Sequence, residues 1–133
     1  KAQGNWAAVA AASSQRAALN RPEFLLHAQA LLNTGKAQNA REELQTWVAD
    51  HKDDAPAWLQ LAQTYSRLGQ NAQMARAQGE AAVAQFDYGR GLDYLQSARR
   101  LTGNDLYEGS ILDARIRLVQ TEQKDMDDKL IGS

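Results

Sequence analysis

A 34-residue repeat constrains the fold of this 133-residue chain more than any other feature of its sequence. The segment from Pro22 to Gly35 aligns with the segment from Pro56 to Gly69 at a constant offset of 34 residues. Half of the aligned positions match in chemical class: a proline, an aromatic ring, a leucine, an alanine, a glutamine, a large side chain and a glycine. A fixed period of this length is typical of proteins built by stacking one helix hairpin on the next.

Each repeated position has a physical role in a helix. Proline is favoured in a first turn, where its missing N–H costs no hydrogen bond. The aromatic residue, Phe24 or Trp58, begins a series at i, i+4 and i+7 that lies on one helix face. Gly35 and Gly69 then supply the left-handed conformation that ends a helix. The pattern predicts a second helix after each glycine, with its apolar stripe in the first unit formed by Ala40, Leu44, Trp47 and Val48.

The composition supports an all-α fold and excludes several other classes of protein. Alanine and glutamine are abundant, whereas the β-branched residues favoured in strands are few. A hydrophobic content of 44% with a net charge of −1 excludes wholesale disorder. That small charge gives no support for nucleic-acid binding, and no apolar run approaches the length of a membrane span. The absence of cysteine excludes a disulfide scaffold and a thiolate metal site.

We predict seven helices in one domain that covers residues 1–133. The helices are expected over residues 5–19, 22–34, 37–50, 56–68, 71–87, 90–102 and 105–129. Within the domain, residues 1–20 are expected to hold the second helix of a truncated unit. Two repeat units are expected at 21–54 and 55–88, and a degenerate unit with a capping helix at 89–133. Gly89 and Gly91 are expected to break two helices. The capping helix should bury one stripe, formed by Leu112, Ile116, Val119, Met126 and Leu130.

The repeated unit resembles the tetratricopeptide repeat. Its pattern of aromatic, large and small residues and a glycine covers residues 21 to 88, and Gly103 continues the 34-residue spacing. The alanine expected five residues after the glycine is Ala40 in the first unit, and Met74 replaces it in the second. The resemblance implies a right-handed superhelix of antiparallel helix pairs, with a concave groove that binds other polypeptides.

Residues 56–118 also resemble a narrower group. The run from Trp58 through Ala75-Arg76-Ala77 to Asp113-Ala114-Arg115-Ile116 is similar to the C-terminal repeat region of bacterial periplasmic zinc metallopeptidases of the β-barrel assembly-enhancing type. This resemblance implies a periplasmic location, and outer-membrane proteins, their assembly machinery or the chain's own protease domain as partners. The chain contains no His-Glu-x-x-His, so any zinc site of such a parent must lie outside it.

No set of residues in the chain indicates catalysis, a cofactor or a metal site. His27 and His51 are the two histidines; His27 holds the position of Leu61 in the next unit, which indicates a core residue. His51 follows a helix, where a histidine can complement the negative end of the helix dipole. Asp50, Asp53 and Asp54 do not have the spacing of a calcium loop and are predicted to form a solvated turn whose Asp54 caps the next helix. No serine lies in a Gly-x-Ser-x-Gly context.

The resemblance places a groove on the first helix of each unit. Its candidate protein-binding residues are Leu25, Leu26, Gln29 and Asn33 in one unit and Leu59, Gln60, Gln63 and Arg67 in the next, flanked by Pro22, Leu32, Pro56 and Ser66. Tetratricopeptide proteins that grip C-terminal carboxylates place Lys and Asn where this chain has Leu25, Gln29, Leu59 and Gln63, so a carboxylate clamp is not expected. Such an apolar surface with amide donors and one arginine suits a polypeptide ligand.

Several alternatives stay open at this level. Leu25, Leu26 and Leu59 could pack against neighbouring helices instead of lining a groove. The chain could be the regulatory part of an enzyme whose catalytic residues lie elsewhere, a scaffold that oligomerises, or a repeat domain of another bacterial envelope complex. If the groove binds polypeptides, truncation of Leu25 and Leu59 to alanine should weaken binding without loss of helicity.

Overall fold

The computed structural model describes residues 20–132, and this part of the chain folds into six α-helices without strands. The helices are α1 Arg21–Asn33, α2 Ala37–Asp50, α3 Ala55–Arg67, α4 Asn71–Ala84, α5 Tyr88–Thr102 and α6 Leu106–Gly132. Each helix packs against the next in the chain, and α1 also contacts α3. The all-α prediction is therefore confirmed for these residues. The helix predicted over residues 5–19 lies outside the described residues.

Glycines at the 34-residue spacing follow the first helix of each pair. Their φ angles are 78°, 72° and 65° at Gly35, Gly69 and Gly103, a region that glycine adopts without the steric penalty of a Cβ. After α1, the Lys36 N–H donates to the Leu31 carbonyl at 2.8 Å, and after α3 the Gln70 N–H donates to the Tyr65 carbonyl at 2.9 Å. The same bond therefore closes both helices, which confirms the predicted helix ends at Gly35 and Gly69.

Short polar side chains cap the N-termini of α1, α3, α5 and α6. Asn20 Oδ1 accepts the Glu23 N–H at 2.9 Å while Glu23 Oε1 accepts the Asn20 N–H at 3.3 Å, a reciprocal capping box at the start of α1. Asp54 accepts the N–H three residues later and so caps α3, as the sequence predicts. Asp87 and Asp105 make the equivalent bond before α5 and α6. These caps satisfy N–H groups that a helix leaves without partners.

The break between α4 and α5 falls earlier in the chain than predicted. The helix expected over residues 71–87 ends at Ala84, and the turn that follows contains Phe86 with a φ of 63°. The expectation that Gly89 and Gly91 break helices is wrong, because the Asp87 cap places both glycines in the first turn of α5. A Cβ on Gly91 would lie 2.6 Å from Cγ2 of Val83, so this glycine lets α4 and α5 approach closely.

Two clusters of buried side chains form the core of the described residues. The first joins α1, α2, α3 and α4 and includes Leu31, Leu44 and Leu61, with Ala77 from α4. Within it the ring of Phe24 stacks on that of Trp47, with centroids 4.4 Å apart. The second cluster joins α4, α5 and α6 through residues such as Leu95, Leu112 and Val119. The predicted stripe on α2 is confirmed, since Ala40, Leu44 and Val48 are buried and Trp47 is partly buried.

The first half of α6 is held by apolar and charged contacts. Leu112 and Val119 are buried, and Ile116 packs against the same cluster. Asp113 accepts from Arg99 Nε at 2.9 Å, which ties α6 to α5, while Arg115 forms an ion pair with Glu80 of α4. The Asp113-Ala114-Arg115-Ile116 segment therefore contains the charged residues that attach α6 to the two preceding helices.

The second half of α6 departs from the prediction. Leu130 and Ile131 are 71% and 84% exposed, so the apolar stripe expected to extend through Met126 to Leu130 is buried as far as Val119 and fails at Leu130. The physical reason is length: α6 has 27 residues and α5, which precedes it, has 15, so the second half of α6 extends beyond the helix it packs on.

Candidate functional site

The eight predicted binding residues lie on α1 and α3, and we refer to them together as the binding face. They are Leu25, Leu26, Gln29, Asn33, Leu59, Gln60, Gln63 and Arg67. Leu26 and Leu59 are 48% and 50% exposed. Two apolar side chains, one on the first helix of each of two neighbouring helix pairs, are therefore available for contact with another molecule.

Leu25 and Leu32 differ from this description. Leu25 is partly buried and packs against the first core cluster. Leu32 is 2% exposed, so the expectation that it flanks the groove is wrong. It follows Phe24 and Ala28 at four-residue intervals, which places it on the helix face that points into the core. Truncation of Leu25 would consequently disturb folding as well as any binding.

Hydrogen bonds cross the binding face between its two helices. Gln60 Nε2 donates to the Leu25 carbonyl at 3.1 Å and to Gln29 Oε1 at 3.2 Å. Gln29 Nε2 in turn donates to Asn33 Oδ1 at 3.1 Å. Arg67 Nη1 donates to a backbone carbonyl at the end of α1, 3.0 Å away. Several polar side chains expected to bind a ligand therefore hold α3 against α1.

The remaining members of the predicted surface are accessible. Gln63 and Arg67 are exposed on α3, and Asn33 is exposed on α1. The flanking residues Pro22, Pro56 and Ser66 are exposed as well. The face thus combines two half-exposed leucines with polar groups along one side of each helix.

Asp54 joins three helices at one end of this face. Its carboxylate accepts from Nε and Nη2 of Arg21 at 2.8 Å each and from the indole Nε1 of Trp47 at 2.9 Å, in addition to capping α3. Burial favours the neutral carboxyl, but the bonds from Arg21, Trp47 and the Ala57 N–H favour the charged form more strongly. The pKa of Asp54 is consequently below its ordinary value. Asp50 and Asp53 are exposed, as predicted for this turn.

The side-chain hydrogen-bond and ring contacts of both histidines are with residues of α2. His27 is 2% exposed, and its Nε2 is 2.6 Å from Glu43 Oε1, which makes it a buried residue with a polar partner on α2. The ring of His51 stacks on that of Trp47 with centroids 3.9 Å apart, and its Nδ1 lies 2.9 Å from the Trp47 carbonyl. The core position predicted for His27 is confirmed.

The described residues offer neither a candidate metal centre nor a candidate membrane span. No three or more of their histidine and acidic side chains are grouped in a way that could hold a metal ion. No helix between residues 20 and 132 is long and apolar enough to cross a bilayer.

Comparison with known proteins adds no relative to these observations. No protein-family model matches the chain, and no curated protein matches it at a significant level.

Proposed function

We propose that this chain is a protein-interaction module of the tetratricopeptide type, whose binding face receives a segment of another polypeptide. Glycines in the left-handed conformation at residues 35, 69 and 103, each following the first helix of a pair, support the repeat assignment. We further propose that the helix pairs continue into the right-handed superhelix that the resemblance implies, with α1 and α3 side by side on its concave surface.

The observation that carries the proposal is the placement of Leu26 and Leu59. The bond from Gln60 to the Leu25 carbonyl holds together the segments of α1 and α3 that carry these two leucines, and both side chains are half exposed. Burial of the exposed part of a leucine in an interface contributes on the order of 1 kcal/mol. Gln63, exposed nearby along α3, is suited to bonds with the backbone of the ligand, and Arg67, also exposed, keeps further N–H groups for a ligand carboxylate besides the one that bonds α1.

The proposed role is binding without catalysis and without a cofactor. Its support is the character of the binding face, which consists of leucines, amides and one arginine and contains no general acid or base. A site of that chemistry holds polypeptide through apolar burial and hydrogen bonds.

The parent protein is proposed to be a periplasmic zinc metallopeptidase that acts on outer-membrane proteins, with this chain as its C-terminal region. This part of the proposal depends on the similarity of residues 56–118 to that group. The coding sequence upstream of residue 1 tests it: a His-Glu-x-x-His motif there supports it, and an unrelated upstream sequence contradicts it.

Peptide selection on the purified chain tests the binding face. Twelve-residue peptides selected from a random phage library should include some that bind the unaltered protein in fluorescence polarisation. For at least one class of these peptides the double variant Leu26→Ala/Leu59→Ala should bind about tenfold more weakly, because two half-exposed leucines are truncated. Circular dichroism should show unchanged helicity, since neither leucine is a core residue.

Leu106→Ala/Leu130→Ala is the matched control. These leucines are 83% and 71% exposed on α6, so the control removes at least as much exposed apolar surface elsewhere. Equal affinity of the control and the unaltered protein supports the assignment. Equal losses of affinity in both double variants, or no loss in either, contradict it. If light scattering shows that the unaltered protein is a dimer and that truncation of Leu26 and Leu59 abolishes the dimer, the face is assigned to self-association instead.

A further inference from the structure

A cleft lies beside Trp58, formed by residues that the binding face does not use. It consists of two adjoining cavities of about 560 Å³ and 270 Å³, both lined by Trp58, Tyr65 and Arg76. The larger cavity is bounded by α2 on one side and by Leu118 of α6 on the other. Because α2, α3, α4 and α6 all contribute, the cleft depends on two successive helix pairs being stacked.

The repeat itself explains why the second unit has a cleft at this ring. In the first unit Phe24 is 7% exposed, since the ring of Trp47 stacks on it. The residue 34 positions after Trp47 is Ala81, which cannot cover the ring of Trp58 in the same way. Trp58 is accordingly partly exposed, and its indole is fixed by a 3.0 Å bond from Nε1 to the Lys52 carbonyl.

The charges in the larger cavity are predominantly positive. It is lined by Lys52, Arg76, Arg115 and Glu80, and the last two neutralise one another in an ion pair. Lys52 and Arg76 make no ion pair with any residue of the described part of the chain. The Nε of Arg76 is also buried without a hydrogen-bond partner there, so the guanidinium group is not fully satisfied by the described residues.

The smaller cavity has the opposite character. Asp105 and Glu108 line it beside Arg76, so charge changes from positive near α2 to negative near the turn between α5 and α6. This gradient distinguishes the two directions in which an extended chain could lie in the cleft.

We propose that the cleft is a second ligand site that binds an acidic peptide segment. A large apolar side chain of the peptide packs against Trp58 and Leu118, and an aspartate or glutamate of the peptide accepts hydrogen bonds from Arg76 and attracts Lys52. Arginine is suited to this role because its planar group binds a carboxylate at two points. The part of the peptide that follows towards Asp105 and Glu108 carries neutral or basic residues.

Peptides selected from the random twelve-residue library test this site through variants that leave the binding face intact. Among the selected peptides, a class with an acidic residue near a large apolar one is expected. Arg76→Gln should weaken the binding of this peptide class about tenfold, which is the scale of a lost charge-assisted hydrogen bond. Arg76→Lys should weaken the binding less. Binding should also fall as sodium chloride is raised from about 50 mM to about 500 mM.

Arg117→Gln is the matched control, because Arg117 is exposed on α6 and does not line either cavity. It removes the same charge and should change affinity less than twofold. Leu118→Ala provides a second variant that should weaken binding; Leu118 is 52% exposed, so its truncation does not disrupt the core.

The outcomes separate this site from the proposed function. Peptides that lose affinity in the Arg76 and Leu118 variants but not in Leu26→Ala/Leu59→Ala support the cleft, whatever the fate of the binding face. A selected pool without enrichment of acidic residues overturns the proposal. Equal affinities for Arg76→Gln and Arg117→Gln also overturn it.

Discussion

Glu80 and Arg115 form a two-point ion pair between residues 35 positions apart in the chain. Nε and Nη2 of Arg115 each lie 2.7 Å from a carboxylate oxygen of Glu80, and this contact raises the pKa of Arg115. The Glu80 side chain is 8% exposed and that of Arg115 is 25% exposed. The pair therefore attaches α6 to α4 in a partly dry environment, where an unpaired charge is costly.

Removal of one partner of this pair should destabilise the protein more than removal of both. Glu80→Met leaves the Arg115 charge without its carboxylate, and we expect a loss of about 2 kcal/mol in the free energy of unfolding. A loss of about 3–5 kcal/mol is typical when the pair is fully buried, and Arg115 is partly exposed. The double variant Glu80→Met/Arg115→Met should recover at least half of the loss. Urea denaturation of the unaltered protein and these two variants measures this, and a double variant no more stable than Glu80→Met contradicts it.

Alanine substitution of two nearby glycines should have opposite effects. A Cβ on Gly91 meets Val83 Cγ2 at 2.6 Å and the Gly79 carbonyl oxygen at 3.2 Å, so Gly91→Ala should cost about 1–3 kcal/mol through overpacking of α4 on α5. A Cβ on Gly89 meets nothing within 4 Å, and Gly89→Ala should stabilise α5 by a few tenths of a kcal/mol up to about 1. Thermal unfolding monitored by circular dichroism compares them. Equal shifts in Tm would show that α4 and α5 are not in close contact.

The contribution of Asp54 to stability should depend on pH. Because the folded-state pKa of Asp54 is lowered, its stabilisation is complete above the ordinary carboxyl pKa of about 4 and is lost as the pH falls through the lower folded value. Asp54→Asn should therefore be about 1 kcal/mol less stable at pH 7, and this difference should close below pH 4. Asp53→Asn, at an exposed neighbour, serves as the control and should match the unaltered protein at both pH values. A constant difference for Asp54→Asn across the titration contradicts the assigned role.

Features set by local sequence could be predicted well. Helix ends at Gly35 and Gly69 follow from the conformation that glycine alone adopts readily, and the Asp54 cap follows from its position before a proline-containing first turn. All six described helices begin and end within three residues of their predicted bounds, since turn residues and apolar periodicity agree there. The largest differences are at the ends of α4 and α6, and in the turn after α4 Phe86 adopts a left-handed φ that nothing in its chemistry indicates.

Features set by contacts between distant residues could not be predicted. Gly91 lies inside a helix because α4 must approach it closely, and a glycine on its own reads equally well as a helix breaker. Gln60 and Arg67 sit where a ligand was expected to contact them, yet each bonds a backbone carbonyl of α1. One feature of the sequence indicated the cleft beside Trp58: Ala81 occupies the position that Trp47 holds in the first unit. This difference is informative only once the structure shows that Trp47 covers Phe24.

Backbone amide chemical shifts recorded by NMR during peptide titration test the central claim most directly. The claim is that stacked 34-residue helix pairs present α1 and α3 together as a polypeptide-binding surface. For at least one selected peptide, the largest shifts should fall on Leu26, Leu59 and Gln63, with smaller changes on the exposed second half of α6. If no selected peptide shifts the amides of Leu26 and Leu59, the binding face is not a binding site and the account is contradicted.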